Sequence, residues 1–278
     1  MNRRDFIASA IALTASATLG REDKKDPPFG GFRLGAQSYT FREFNLEQAL
    51  MRMQKLGLKY GEFYQKHCPM TTDEASIKAF QKICSDYGVT PWAWGVQAFT
   101  KNHDANKKVF EFGKALGLKM FSADPTPDSF DSLDKLCDEY KIAIGIHPHG
   151  PAGKGLHRWY SAEVILAAVK DHHKLIGACL DTGHLIRSAQ MGKTLDPAAQ
   201  VKLMGERNFG LHLKDHDNKA KHDVIIGKGA LDVPKLLAAL AEVKFTGMIS
   251  IEYEHNSKEP TKDVESCVKV FSDAASKR

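Results

Sequence analysis

Ionisable side chains recur in this chain at the ends of short apolar runs. Tyr60-Gly61-Glu62-Phe63-Tyr64 is one such end, and Ile146-His147-Pro148-His149-Gly150 is another. Cys179-Leu180-Asp181-Thr182-Gly183-His184, Leu211-His212-Leu213-Lys214-Asp215-His216 and Ile251-Glu252-Tyr253-Glu254-His255 follow the same form. A single strand-end Glu or His is ordinary, because water or a neighbour satisfies it. Five of them around one axis are different: burying so many ionisable groups is costly without a compensating charge, and a divalent cation is the usual one. Carboxylates and imidazoles together suit Mn²⁺, Zn²⁺, Co²⁺ or Mg²⁺, with His favouring the transition metals. The chemistry within reach is carbonyl polarisation by a Lewis acid coupled to proton transfer at the adjacent carbon.

The elements that must position these groups alternate regularly. β-rich runs are expected at 33–39, 60–64, 89–96, 118–122, 141–146, 176–180, 208–213 and 248–252. Amphipathic helices are expected at 46–56, 72–86, 105–115, 129–139, 160–170, 194–205, 232–241 and 260–275. The first helix places Leu46, Ala49, Leu50, Met53 and Leu56 on one face and stops at Gly57, where glycine admits a left-handed residue. Gly88, Gly117, Gly177 and Gly247 are read as the same punctuation. Eight βα units in one series imply a parallel sheet closed into a single-domain (β/α)8 TIM barrel over residues 31–278. A doubly wound open sheet would show a Gly-rich turn after the first strand, but Gln37-Ser38-Tyr39-Thr40-Phe41 stands there. In a barrel, catalytic groups occupy the carboxyl ends of the strands. The five polar ends meet that condition.

Ile176 to His184, Gly210-Leu211-His212-Leu213-Lys214-Asp215 and Ser250-Ile251-Glu252-Tyr253-Glu254 resemble signature segments of the xylose isomerase-like barrel superfamily. The resemblance lies with its sugar phosphate isomerase/epimerase group, spans about residues 32 to 275, and includes Gly227 to Asp232. It implies a metal held by a strand-five acid, a strand-six Asp, a strand-seven His and a strand-eight Glu. Asp181, His212 and Glu252 match the last three, whereas the strand-five position holds His147. His147 remains a candidate ligand, giving two imidazoles and two carboxylates. A symmetric exchange between two Glu residues is what this departure puts in question. The implied reaction is isomerisation or epimerisation of a sugar through a metal-stabilised enediolate, with β-elimination from a 3-keto-glycoside as the alternative. Barrels of this group often form homo-oligomers.

Glu62 is a candidate base or outer partner of the site, and His147 and Glu252 are further candidates for the base. Lys214 is a candidate for holding a developing oxyanion, and Glu254 for orienting a metal-bound His. His184 and His149 are expected to reach substrate oxygens. Trp94 and Phe99 are candidates for an aromatic wall against the apolar face of a sugar.

Composition bounds the remaining possibilities. The net charge of +5 is spread among acids rather than gathered in a stripe, which argues against a nucleic-acid groove. A nuclease of the endonuclease IV type would need more ligands for several zincs and a basic groove. A sugar-binding barrel without catalysis would tolerate loss of the ligands. No Gly-rich phosphate loop or Arg cluster is found at strands seven and eight, so an unphosphorylated sugar is expected. Arg3-Arg4-Asp5-Phe6-Ile7 followed by an apolar run to Leu19 and the small residues Ala15-Ser16-Ala17 resembles a twin-arginine export signal. A signal peptide at 1–17, a linker at 18–30 and export to the periplasm are expected, with no stable membrane anchor. The five cysteines form no CxxC pair, so neither a disulfide framework nor a zinc knuckle is suggested. Folding before export would preserve them as thiols.

Overall fold

The computed structural model describes residues 29–278. The expected signal peptide and most of the expected linker lie outside the described residues. Eight parallel strands close into a barrel: β1 (Arg33–Gln37), β2 (Tyr60–Phe63), β3 (Thr90–Phe99), β4 (Met120–Pro125), β5 (Ala143–Ile146), β6 (Ile176–Asp181), β7 (Asn208–Leu213) and β8 (Met248–Ile251). Each strand pairs with its sequence neighbours, and β8 closes on β1 with Ala36 opposite Ile251. The helices are α1 (Leu46–Lys55), α2 (Glu74–Asp86), α3 (His103–Leu116), α4 (Phe130–Tyr140), α5 (Ala162–Val169), α6 (Thr182–Arg187), α7 (Pro197–Met204), α8 (Val233–Glu242) and α9 (Thr261–Ala275).

The helices form where sequence supplies both a cap and an apolar face. Asn45 and Gln48 cap α1 reciprocally, and Ala49, Leu50 and Met53 turn inward. Asp73, Asn102, Ser161 and Asp232 begin α2, α3, α5 and α8 by accepting a backbone N–H three residues on. The apolar faces pack against the outside of the strands as one core that includes Leu50, Phe110, Leu133, Ile165, Leu237 and Phe271. Inside the barrel, Ala93, Met120, Ala143 and Cys179 form a small separate apolar cluster. All five cysteines are buried free thiols.

Four features depart from the sequence expectations. β1 ends at Gln37 because its side chain accepts the Tyr39 N–H and starts a 3-10 turn over Ser38–Phe41. β3 runs to Phe99, with a register shift against β4 between Trp94 and Gln97. The short helix α6 and two hairpins, Pro151–Ala152 with Gly155–Leu156 and Asp215–Asp217 with His222–Val224, were not anticipated. Gly57, Gly88 and Gly117 do adopt positive φ at helix ends, but Gly177 and Gly247 do not. These two lie where a Cβ would collide with the backbone of a neighbouring segment, at Arg207 O and Phe209 O. Close approach, rather than helix termination, requires glycine there.

Candidate metal centre and its cavity

The ends of β5, β6, β7 and β8 bring His147, Asp181, His212 and Glu252 together, all buried. Asp181 and His212 are register partners across β6 and β7, so strand pairing alone sets them side by side. His147 Nε2 lies 2.9 Å from His212 Nδ1 and 3.4 Å from Asp181 Oδ2. His212 Nδ1 lies 3.2 Å from Glu252 Oε2 and 3.9 Å from Asp181 Oδ2. One ligand atom from each residue lies within 4.8 Å of all the others. Ligands bound at 2.0–2.2 Å around a tetrahedral ion stand roughly 3.3–3.6 Å apart, so these separations suit one small cation. Asp181 Oδ2 is buried and makes no hydrogen bond, with the Lys214 ammonium 3.3 Å away as its nearest cation. These four residues fit a divalent metal.

Around this quartet, partners fix orientation. Asp181 Oδ1 accepts the His184 N–H at 2.6 Å and so caps α6, which turns Oδ2 toward the quartet. Thr182 Oγ1 accepts the Lys214 N–H at 2.9 Å and ties β6 to β7. A Cβ on Gly183 would press within 2.7 Å of the Lys214 side chain, so glycine lets that lysine pass. The Asp-Thr-Gly-His string thus has a physical reason at each position.

Glu62 is fully buried, and its Oε2 meets His212 Nε2 at 2.9 Å and accepts Ser250 Oγ at 2.8 Å, while Ser122 Oγ donates to Oε1. It does not line the cavity. As a base facing substrate the expectation for Glu62 is corrected: it holds the far nitrogen of His212, the carboxylate–histidine arrangement that orients a metal ligand. Burial alone would raise its carboxyl, but His212 and the two hydroxyls outweigh burial and hold it below the usual carboxylate range.

Lys214 is also corrected. Its ammonium lies 2.8 Å from Glu252 Oε2 and 3.3 Å from Asp181 Oδ2 and bonds Glu254 Oε1, and it does not line the cavity. It balances carboxylates instead of reaching for an oxyanion. Glu254 accordingly pairs with Lys214 and not with an imidazole. Burial raises Asp181, but Lys214 and the neighbouring imidazoles outweigh it and hold the carboxyl well below its ordinary value. Three carboxylates, Asp181, Glu252 and Glu254, share the one Lys214 ammonium, while Glu62 pairs with His212.

Above the quartet opens a cavity of about 560 Å³. His147, His149, His184, Glu252 and Glu254 line one side, and Tyr39, Tyr64, Met70, Trp94 and Val96 line the other. His184 Nδ1 accepts the Gly150 N–H at 3.0 Å, so its Nε2 carries the proton. Its ring centroid stands 4.3 Å from that of His149. Burial lowers both rings, His184 well below the ordinary value and His149 to about 4, so both are neutral near pH 7. Trp94 lines the cavity but is only 3% exposed, donating its indole N–H to Cys68 O at 2.9 Å. Phe99 is fully buried against Phe110 and Phe121, so its expected place on a substrate wall is corrected to the core. Tyr39 and Tyr64 stand where Phe99 was expected. The rule that exposed the polar residues, position just past a strand end, applies to both.

The family model of the xylose isomerase-like TIM barrel matches residues 50–272. Among curated proteins, no sequence matches. Among solved structures, an uncharacterized protein from Parabacteroides distasonis ATCC 8503 is 25% identical with a TM-score of 0.66, covering 86% of this chain and 97% of its own. A D-tagatose 3-epimerase-like protein is 18% identical with a TM-score of 0.68, covering 88% and 99%. An L-ribulose 3-epimerase is 15% identical with a TM-score of 0.67, covering 88% and 96%. With four-fifths of its length matched and the barrel closed as that family requires, this chain belongs to the xylose isomerase-like TIM barrel family.

Proposed function

We propose that the protein is a divalent-metal-dependent isomerase or epimerase acting on an unphosphorylated ketose or related sugar. The observation that carries this reading is the His147–Asp181–His212–Glu252 quartet, two of whose members, His147 and Glu252, line a cavity large enough for a small molecule. Bound there, a divalent ion supplies Lewis-acid polarisation of a substrate carbonyl, which acidifies the adjacent C–H. The named activities among the structural neighbours, D-tagatose-type and L-ribulose 3-epimerisation, support the class. No Lys or Arg lines the cavity among the described residues, which suits a neutral sugar better than a phosphorylated one.

Glu252 lines the cavity after β8 and is the base in this reading, its charge held by Lys214. His184 presents an Nε2–H from the β6 side and can donate to a sugar oxygen or return a proton. Return of the proton to the opposite face of the same carbon gives an epimer, and return to the neighbouring carbon gives an isomer.

A second reading rests on one observation: the polar side of the cavity carries two kinds of group, imidazoles from β5 and β6 and carboxylates from β8. One base and one acid suit β-elimination, in which the C–H proton leaves to a carboxylate, the C–O bond to the aglycone breaks, and an imidazole protonates the departing oxygen. Incubating metal-loaded protein with candidate ketoses and 3-keto-glycosides in deuterated water tests both. Deuterium in recovered or epimerised sugar supports the first reading, aglycone release supports the second, and neither result with any metal-loaded sample overturns both.

A further inference from the structure

The two sides of the cavity come from different arcs of the barrel. Its ionisable side chains follow β5, β6 and β8, whereas Tyr39, Tyr64 and Met70 follow β1 and β2, and Trp94 and Val96 lie within β3. Six large hydrophobic side chains are exposed on the described surface, and three of them, Tyr39 at 36%, Met70 at 42% and Val96 at 41%, line this one cavity. Local structure holds them there. The β3 register shift between Trp94 and Gln97 turns Val96 outward, as irregular pairing beside a site often does. Tyr39 packs edge-on against Tyr64 with centroids 5.3 Å apart, and the Arg42 guanidinium lies 4.7 Å from the Tyr39 ring centre.

Two of the three amides on this arc are tied to backbone: Gln37 bonds the Gly95 carbonyl and the Tyr39 N–H, and Gln97 bonds the Ala98 carbonyl, while Gln65 is exposed. A free ketose carries hydroxyls around its whole rim, and an apolar wall would strip water from some of them without replacing the bonds. A ligand that is polar at one end and apolar at the other satisfies both arcs. The wall lies within a concavity instead of forming a flat patch, so a small molecule suits it better than a second copy of the chain, which would need about 800 Å² of contact per partner.

We infer that the cavity takes a sugar bearing an aryl group, with the sugar toward His147, His184 and Glu252 and the aromatic ring against Tyr39, Met70 and Val96. This rests on the second proposed reading, elimination from a glycoside, and names the substrate class within it: an aryl glycoside. Aromatic edges and faces favour such a ring over an alkyl group of equal size.

The test is calorimetric titration of the metal-loaded full chain with phenyl and methyl β-D-glucoside, probes that differ only in the aglycone. Phenyl glucoside is expected to bind at least tenfold tighter, and the M70S/V96S double variant should lose most of that gap while keeping its metal and its affinity for methyl glucoside. Equal affinity for the two probes, no measurable binding of either, or a gap that persists in the double variant would overturn the inference. Sedimentation of both proteins supplies a further check: a dimer that the double variant abolishes would make the wall an interface and overturn it too. Because binding is read without turnover, an aryl preference in a protein that exchanges no proton would sink the proposed reaction and leave this inference standing.

Discussion

Asp181 divides its two oxygens between two tasks, Oδ1 capping α6 and Oδ2 facing the quartet. Asp181→Ala and His212→Ala are therefore expected to lose both bound metal and turnover, checked by elemental analysis beside a kinetic assay. Full activity in either variant would count against the site. Glu62→Gln is a sharper test because it separates support from catalysis. As the partner of His212 Nε2, Glu62 should lower metal affinity by about 10–100-fold when neutralised, with kcat at saturating metal changed only a few-fold. A collapsed kcat with metal fully retained would make Glu62 the base after all. His149 gives a pH prediction. Burial and His147 depress its ring to about 4, against about 6.5 in an unfolded chain. Between those values the unfolded chain takes up a proton that the fold refuses, so stability is complete above about pH 6.5 and falls as pH drops through the window. In chelator-treated protein, His149→Gln should flatten part of the decline in urea midpoint between pH 7 and 5; an unchanged slope would show the ring to be freely protonated.

At the scale of elements, the barrel's β7 edge depends on Asp215. Its two carboxylate oxygens accept the backbone N–H groups of Gly227, Gly229, Ala230 and Leu231, which pins the approach to α8. Asp215→Ala should cost on the order of 3 kcal/mol in unfolding free energy, measured by urea denaturation, because several N–H groups lose their acceptor at once. A loss of a few tenths would mean that water replaces the carboxylate. The sequence motifs containing Asp215 and Gly227–Asp232 were legible as strings, but not their contact with each other, which depends on chain folding between them. The main strands and outer helices were legible because apolar periodicity and capping residues agree, as in α1, α2 and α8. What escaped was short or irregular. The six-residue α6 is too brief for periodicity and begins on a residue that also reads as a ligand. The hairpin pairing Asp215–Asp217 with His222–Val224 carries little apolar alternation.

For the whole molecule, closure of the barrel was legible from eight repeats, and with it the convergence of four strand ends. The division of labour inside the site was less so. Whether Phe99 faces substrate or Phe110 turns on one residue of strand phase, and whether Glu62 reaches substrate or His212 turns on its depth inside the barrel; the sequence pattern fixes neither near strand ends. Export is proposed from the twin-arginine-like segment, and N-terminal sequencing of mature protein from the native host should find residues 1–17 removed; their retention would contradict it. No helix among the described residues is long and apolar enough to cross a membrane. The central claim is that one cation joins the ends of four strands, and anomalous diffraction from crystals grown with Mn²⁺ or Zn²⁺ tests it most directly. The account predicts a single strong peak per chain at about 2.0–2.2 Å from His147 Nε2, Asp181 Oδ2, His212 Nδ1 and Glu252 Oε2. An empty quartet, or an ion bound only elsewhere, would contradict it.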